Sequence, residues 1–269
     1  MISLSDLKKF KADGRKFSCL TCYDASMAKA MEIAEIDTIL IGDSLGMCIQ
    51  GRDSTLPVTV DDMVYHTAAV RRGNQHAFIL TDLPFMSYAT LNDALISAKA
   101  VMQSGAQMVK IEGGEWLSET VQVLTRNGIP VCVHLGLTPQ SVHVFGGYKL
   151  QARTREAADR LIADCKAVVE AGAAVLLLEC VPAQLGKEIT ELFPEIPVIG
   201  IGAGVETDGQ VLVVQDMLGL TFGRVAKFVR NFMKEQAGET AIVDAFKAFH
   251  VAVQDGSFPA PEHTFQVEL

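Results

Sequence analysis

Short apolar runs recur along this chain. Between them lie longer stretches in which apolar residues return every three or four positions. The runs FSCLT (17–21), TILIG (38–42), FILTD (78–82), MVKIE (108–112), VCVHL (131–135), AVLLLE (174–179), PVIGIG (197–202) and VLVV (211–214) have strand length and predict strands. They are apolar at nearly every position, as strands covered on both faces are. The stretches 60–71, 91–104, 118–127 and 156–170 carry the helical period. Helix starts are marked by Thr59-x-x-Asp62 and Thr90-x-x-Asp93, which place side-chain oxygens against unpaired N–H groups. Gly105, Gly128 and Gly172 each follow a helical pattern and precede a strand, as left-handed C-caps do. SGAQMVKIE (104–112) and AGAAVLLLE (171–179) share one layout, a small residue, Gly and Ala leading into a strand that closes on Glu. Eight alternations of strand and helix predict a parallel sheet, closed as a (β/α)8 TIM barrel, with an open doubly wound sheet as the alternative.

Composition narrows this picture. The 269 residues are 49% hydrophobic and 20% charged, an ordinary globular balance. No linker or charge block divides them, so one domain over 1–269 is expected. The net charge of −9, without a long Lys/Arg run, argues against nucleic acid and against an anionic membrane surface. AAVLLL (173–178) is too short to cross a bilayer. The N-terminal MISLSDLKKFKADGRKF lacks the apolar region of a secretory signal, and a cytoplasmic location is expected. Six cysteines in this length are too sparse for a disulfide scaffold. CLTC at 19–22 has no second pair at zinc-finger distance and predicts reduced, buried thiols. The Pro-containing tail 255–269 is expected either to wrap a neighbouring subunit or to lack order.

The candidate chemistry lies where the predicted strands end. The second closes on Asp43-Ser44 and the third on Asp82. The fourth carries Lys110 and Glu112, the fifth His134, and the sixth ends on Glu179. A turn former explains one Asp, but not ionisable groups at the same end of five successive strands. In a barrel those ends converge on the face that carries active sites. Asp43, Asp82 and Glu112 are hard oxygen donors suited to Mg²⁺. Lys110 and Glu112, two apart, point to one side of the sheet, so Lys110 either holds a substrate carboxylate or pairs with an acid. His134 is a ligand, an acid–base group, a hydrogen-bond donor or a satisfied core residue. Glu179 ends the most apolar strand, where a carboxylate is costly to bury, and it either transfers protons or caps the next helix. GIGAG (200–204) lacks the full dinucleotide fingerprint and admits either a phosphate or a close backbone approach. HVFGGYK (143–149) lies in a long connection, the kind that forms lids and binding loops.

Several stretches together resemble one family. They are LTCYDASMAK, GDSLGM, TLPVTVDDMVYHTAAVRRG, TDLPFMSY, VKIEGG, HLGLTPQSVHVFGGYK, LLLECVP and IGIGAGVETDGQVLVVQDMLGL. In order and spacing they are similar to the 3-methyl-2-oxobutanoate (ketopantoate) hydroxymethyltransferases. The likeness implies a barrel of the phosphoenolpyruvate/pyruvate type, assembled as a homodecamer. It implies transfer of a one-carbon unit from the cosubstrate 5,10-methylenetetrahydrofolate to 3-methyl-2-oxobutanoate, giving 2-dehydropantoate for pantothenate and coenzyme A synthesis. Carried over by motif, Asp43, Asp82 and Glu112 become metal ligands and Glu179 the proton-transfer residue. Asp43, Ser44, Asp82, Lys110 and His134 become substrate contacts. The sequence departs from the family pattern at Val133 and Ala152, where Gly is expected. A lyase or mutase with the same barrel, needing no folate, and a non-catalytic binder of an oxo acid and metal are the competing readings.

Overall fold

The computed structural model describes residues 1–267 and 269. Eight parallel strands follow one another around a closed barrel. They are β1 (Phe17–Thr21), β2 (Thr38–Ile41), β3 (Phe78–Asp82), β4 (Met108–Glu112), β5 (Val131–Gly136), β6 (Val175–Glu179), β7 (Val198–Ile201) and β8 (Gly209–Leu212), and β8 pairs back onto β1. The longer helices are α1 (Leu4–Ala12), α2 (Ala25–Ile33), α3 (Val60–Gly73), α4 (Leu91–Gln103), α5 (Ser118–Arg126), α6 (Arg155–Glu170), α7 (Ala183–Leu192) and α8 (Ala241–Gln254). The expected (β/α)8 barrel is the fold found. No helix among the described residues is long and apolar enough to cross a membrane.

The period-2 geometry of the strands divides the apolar residues into two cores. Ile39, Ile41, Ile79, Val109, Ile111, Val133, Leu176 and Leu178 point outward and pack under the helices. Their sequence neighbours Leu40, Phe78, Leu80, Met108, Cys132, Val175 and Leu177 fill the barrel interior. Each such side chain, when fully buried, contributes about 1.5–3 kcal/mol. Ile2 and Leu7 join the inner cluster beside Phe17 and Phe78, so α1 closes the end where the strands begin. Cys19 lies inside the barrel and Cys22 in the outer core, both buried and free as expected.

Three expectations need correction. The eighth strand is 209–212, not 211–214. Gly209 and Gln210 pair with Ile199 and Gly200, whereas Val214 begins a short helical turn. Gly209 reads as a turn residue in sequence, yet a Cβ there would stand 2.5 Å from the Phe17 ring, so the strand needs glycine to pass it. Second, no helix separates β7 from β8. Residues 202–208 return as a close-lying loop, and Gly200 leaves room for Thr207, whose Oγ1 would lie 2.6 Å from an added Cβ. GIGAG is therefore a packing device. Gly202, at φ +61°, lies against Phe228 and Phe265, whose rings would stand 2.8 and 3.2 Å from an added Cβ. Third, the tail folds back on its own barrel. Phe258 and Thr264 are buried, and Ala183 N donates to the Phe265 carbonyl at 2.9 Å. Residue 268 of that tail lies outside the described residues.

Candidate active site

Strand register assembles the site. Asp82 of β3 stands beside Lys110 of β4, Glu112 of β4 beside His134 of β5, and Gly136 of β5 beside Glu179 of β6. Asp82, Lys110, His134 and Glu179 each continue the inward stripe two positions beyond Leu80, Met108, Cys132 and Leu177, and Glu112 follows Lys110 on the same face, so the barrel interior turns from hydrophobic to ionic at its C-terminal end. Asp43 follows β2, and its N–H donates to Asp82 Oδ2 at 2.9 Å. Lys110 Nζ lies 2.9 Å from Asp82 Oδ1 and 3.5 Å from Glu112 Oε1. His134 Nδ1 is 3.0 Å from Glu112 Oε1, and its Nε2 is 3.2 Å from Glu179 Oε2. All six residues line one cavity of about 690 Å³, within the usual range for small-molecule sites. Ser44 is also on its wall, with Oγ 2.8 Å from the Tyr23 hydroxyl. The expected residues thus share one cavity, although among the described residues Asp43, Asp82 and Glu112 do not converge as a three-ligand cage. Lys110 is both ion-paired and on the cavity wall.

Burial makes this charge arrangement costly. It pushes the Asp43 carboxyl well above its usual range, and repulsion from Asp82 and Glu112 adds to the effect. Asp82 is pushed up by burial and by Glu112, partly offset by Lys110. Glu112 goes the other way. Burial opposes its ionisation, but His134, Lys110 and the Gln140 N–H outweigh burial and pull it down to about 2. Burial and Lys110 disfavour protonated His134, yet Glu112 and Glu179 raise it to about 9. Lys110 is itself held protonated against burial by Asp82, Glu112 and Asp43. Four carboxyl groups thus share one lysine and one histidine, and Lys110 Nζ and Glu112 Oε1 both approach His134 Nδ1, at 3.1 and 3.0 Å. Glu179 differs in exposure, with 14% of its side chain still accessible.

Sequence reasoning missed Gln140 and Tyr88. Both are buried; Gln140 donates to the Asp43 and Glu112 carboxylates, while Tyr88 donates to Gln140 Oε1 and receives the Glu112 N–H. The available signal was Pro139, which starts a 3₁₀ turn over Pro139–Ser141 straight after β5. Farther out, Tyr148 of the long β5–α6 connection lines the cavity, as expected of a binding loop. Arg52, Phe222 and Arg224 stand at its rim. Among the described residues neither arginine has an ion-pair partner, and Arg52 Nε donates to Gln50 Oε1 at 2.7 Å.

Fold and site together define a class: a (β/α)8 enzyme with an acidic, lysine-bearing cleft for a small molecule at the strands' C-terminal ends. Comparison with known proteins gives the family. Residues 1–261 match the model of ketopantoate hydroxymethyltransferase, and the chain belongs to that family. It is 89% identical over 269 residues, all of both chains, to 3-methyl-2-oxobutanoate hydroxymethyltransferase of Acinetobacter baumannii (strain AYE). The chain is accordingly a transferase that hydroxymethylates 3-methyl-2-oxobutanoate, a step of pantothenate biosynthesis. Among solved structures, phosphonopyruvate hydrolase aligns with TM-score 0.63 at 11% identity, covering 82% of this chain and 84% of that one. 2,3-Dimethylmalate lyase, a PEP mutase/isocitrate lyase superfamily member, aligns with TM-score 0.58 at 16% identity, covering 79% and 81%. These two likenesses concern the fold alone.

Proposed function

We propose that the cleft binds 3-methyl-2-oxobutanoate together with a divalent cation, Mg²⁺ by donor chemistry, and that 5,10-methylenetetrahydrofolate donates the carbon. One observation carries the metal: two buried, adjoining aspartates whose ionisation the protein leaves under-compensated. Asp82 Oδ1 has only the Lys110 ammonium beside it, off the line of a hydrogen bond. Among the described residues no three His, Cys, Asp or Glu side chains converge as a cage for an ion. That suits Mg²⁺, which usually takes one or two carboxylates and fills its octahedron with water and substrate oxygens. Asp43 and Asp82 would hold it directly. Glu112, tied to Lys110, His134 and Gln140, adds negative charge behind them. When bound, the cation polarises the keto group and stabilises the enolate charge.

The chain's own residues do the rest. Lys110 and Ser44 orient the substrate carboxylate. His134 steadies Glu179 through the 3.2 Å contact, and Glu179 accepts the C3 proton. The C–H electrons pass into the enolate and then form the new bond to the donor's methylene carbon. Both C–N bonds of that methylene break with their electron pairs left on nitrogen. Water supplies the hydroxyl oxygen, and the protons from C3 and water end on the two nitrogens. The cavity is several times larger than a five-carbon acid. Its rim, with Phe222, Tyr148 and two unpaired arginines, suits an aromatic donor with a carboxylate tail.

The test is proton NMR of 3-methyl-2-oxobutanoate in D₂O with enzyme and Mg²⁺, with and without tetrahydrofolate, formaldehyde and chelator. Loss of the C3 signal that stops with chelator, with 2-dehydropantoate only when folate and formaldehyde are both present, is the expected result. Product without folate overturns the donor, and exchange that survives chelation overturns the metal. Glu179→Gln is expected to abolish exchange, and unchanged exchange moves the proton transfer to another group. We further propose a cytoplasmic homodecamer. Exposed Val144, 87% accessible, supports burial between copies. Light scattering checks for ten chains of 29.0 kDa.

A further inference from the structure

We propose that Gln140 and Tyr88 are a positioning pair that fixes the orientation of Asp43. The inference rests on the reading of Asp43 as a residue that holds the cation and substrate. Gln140 reaches the ends of three strands. Its backbone N–H donates to Glu112 Oε2 at 3.0 Å, and its side-chain Nε2 donates to Asp43 Oδ2 at 2.9 Å and to the Leu83 carbonyl at 3.0 Å. The Leu83 carbonyl is an acceptor only, as is Asp43 when ionised to hold a cation, so the amide nitrogen faces them. Tyr88 fixes the other end. Its hydroxyl oxygen receives the Glu112 N–H at 3.2 Å, and its single proton goes to Gln140 Oε1 at 2.5 Å.

A flipped amide would turn its oxygen toward a carboxylate and a carbonyl. Gln140 and Tyr88 are only 7% and 6% exposed. Unpaired polar groups at such depth are costly, so one orientation is enforced. Asp43 lines the cavity, and with Oδ2 occupied by Gln140 its Oδ1 is the oxygen left to meet a ligand. The pair therefore decides which carboxylate oxygen is free and stops the side chain rotating. Neither residue is catalytic, because both act through Asp43.

The test compares Gln140→Leu, Tyr88→Phe and Asp43→Asn, singly and combined. Readouts are Mn²⁺ binding to the metal-free protein by titration calorimetry, and KM for the oxo acid against kcat. Outer partners of metal ligands are typically worth about 10–100-fold in affinity. Gln140→Leu is expected to weaken Mn²⁺ binding by that factor and Tyr88→Phe by a smaller one, with KM rising in both. In the Asp43→Asn background neither is expected to weaken binding further, because the group they orient has changed. Mn²⁺ binding and KM as in wild type for Gln140→Leu, with only a lower Tm, overturn the proposal. Effects that simply multiply with Asp43→Asn overturn it too. Wild-type protein that binds no Mn²⁺ overturns the cation reading instead, and the KM comparison then still tests the pair.

Discussion

Lys110 lies between Asp82 and Glu112 with 3% of its side chain exposed. Removing one partner of a buried ion pair leaves an uncompensated charge and costs about 3–5 kcal/mol. Lys110→Met is therefore expected to lower Tm measurably and to abolish activity, as checked by calorimetry and product assay. Tm as in wild type would mean that the neighbouring carboxylates simply protonate. Ala152 is a residue of the opposite kind. It stands where the family resemblance expects Gly, and its φ is +52°, a region where a Cβ costs roughly 1–2 kcal/mol. Part of that gain is offset by the flexibility of Gly in the unfolded chain. Ala152→Gly is expected to stabilise the protein by about 0.5–1 kcal/mol in urea titration, without changing kcat. At this scale the ionisable residues were legible because each sits at the same end of its strand. Gln140 was not, because an amide carries no charge and its partners come from the ends of β2, β3 and β4.

The elements follow local rules where local energies suffice. At the start of α3, Thr59 Oγ1 accepts from the Asp62 N–H at 3.2 Å, and Asp62 Oδ2 accepts from the Thr59 N–H at 2.9 Å. The predicted capping box is there in full. Thr59→Ala is expected to cost about 1 kcal/mol in urea unfolding, with the m-value unchanged. Gly105, Gly128 and Gly172 all have positive φ after their helices, as their placement predicts. Strands β3 and β4 match their expected limits because turn signals bound them on both sides. The eighth strand shifted by two residues because its start is set by pairing to β7 and by Phe17, neither of which local sequence displays. The missing β7–β8 helix has the same origin. Glycines that read as a ligand loop serve instead to let a short return lie against Thr207, Phe228 and Phe265.

For the whole molecule, the two nested cores leave the six cysteines unpaired. Burial pushes the Cys19, Cys22 and Cys165 thiols up to about 12 and Cys48 up to about 11. Since only thiolates react quickly, Ellman's reagent at pH 8 is expected to modify Cys48 alone, slowly, and all six after denaturation. A second fast-reacting thiol in the native protein would contradict the packing of the barrel wall. Ligand binding acts at this scale too. At a hundred times its Kd, Mg²⁺ with oxo acid is expected to stabilise the fold by about 2.7 kcal/mol, read as a rise in Tm that chelator removes.

The sequence by itself determined the first seven strands, four of the longer helices, and the family. These depend on periodicities and caps that lie within a few residues, and on motifs long enough to be specific. It also placed every charged member of the cleft at a strand end. Tertiary structure alone decided how those charges pair. The spacing of Lys110 from Asp82, of His134 from Glu112 and of Gln140 from Asp43 depends on barrel register, which joins residues far apart in the chain. It also decided what the late glycines are for, since a glycine's purpose depends on the neighbour that approaches it, and that neighbour comes from elsewhere in the fold.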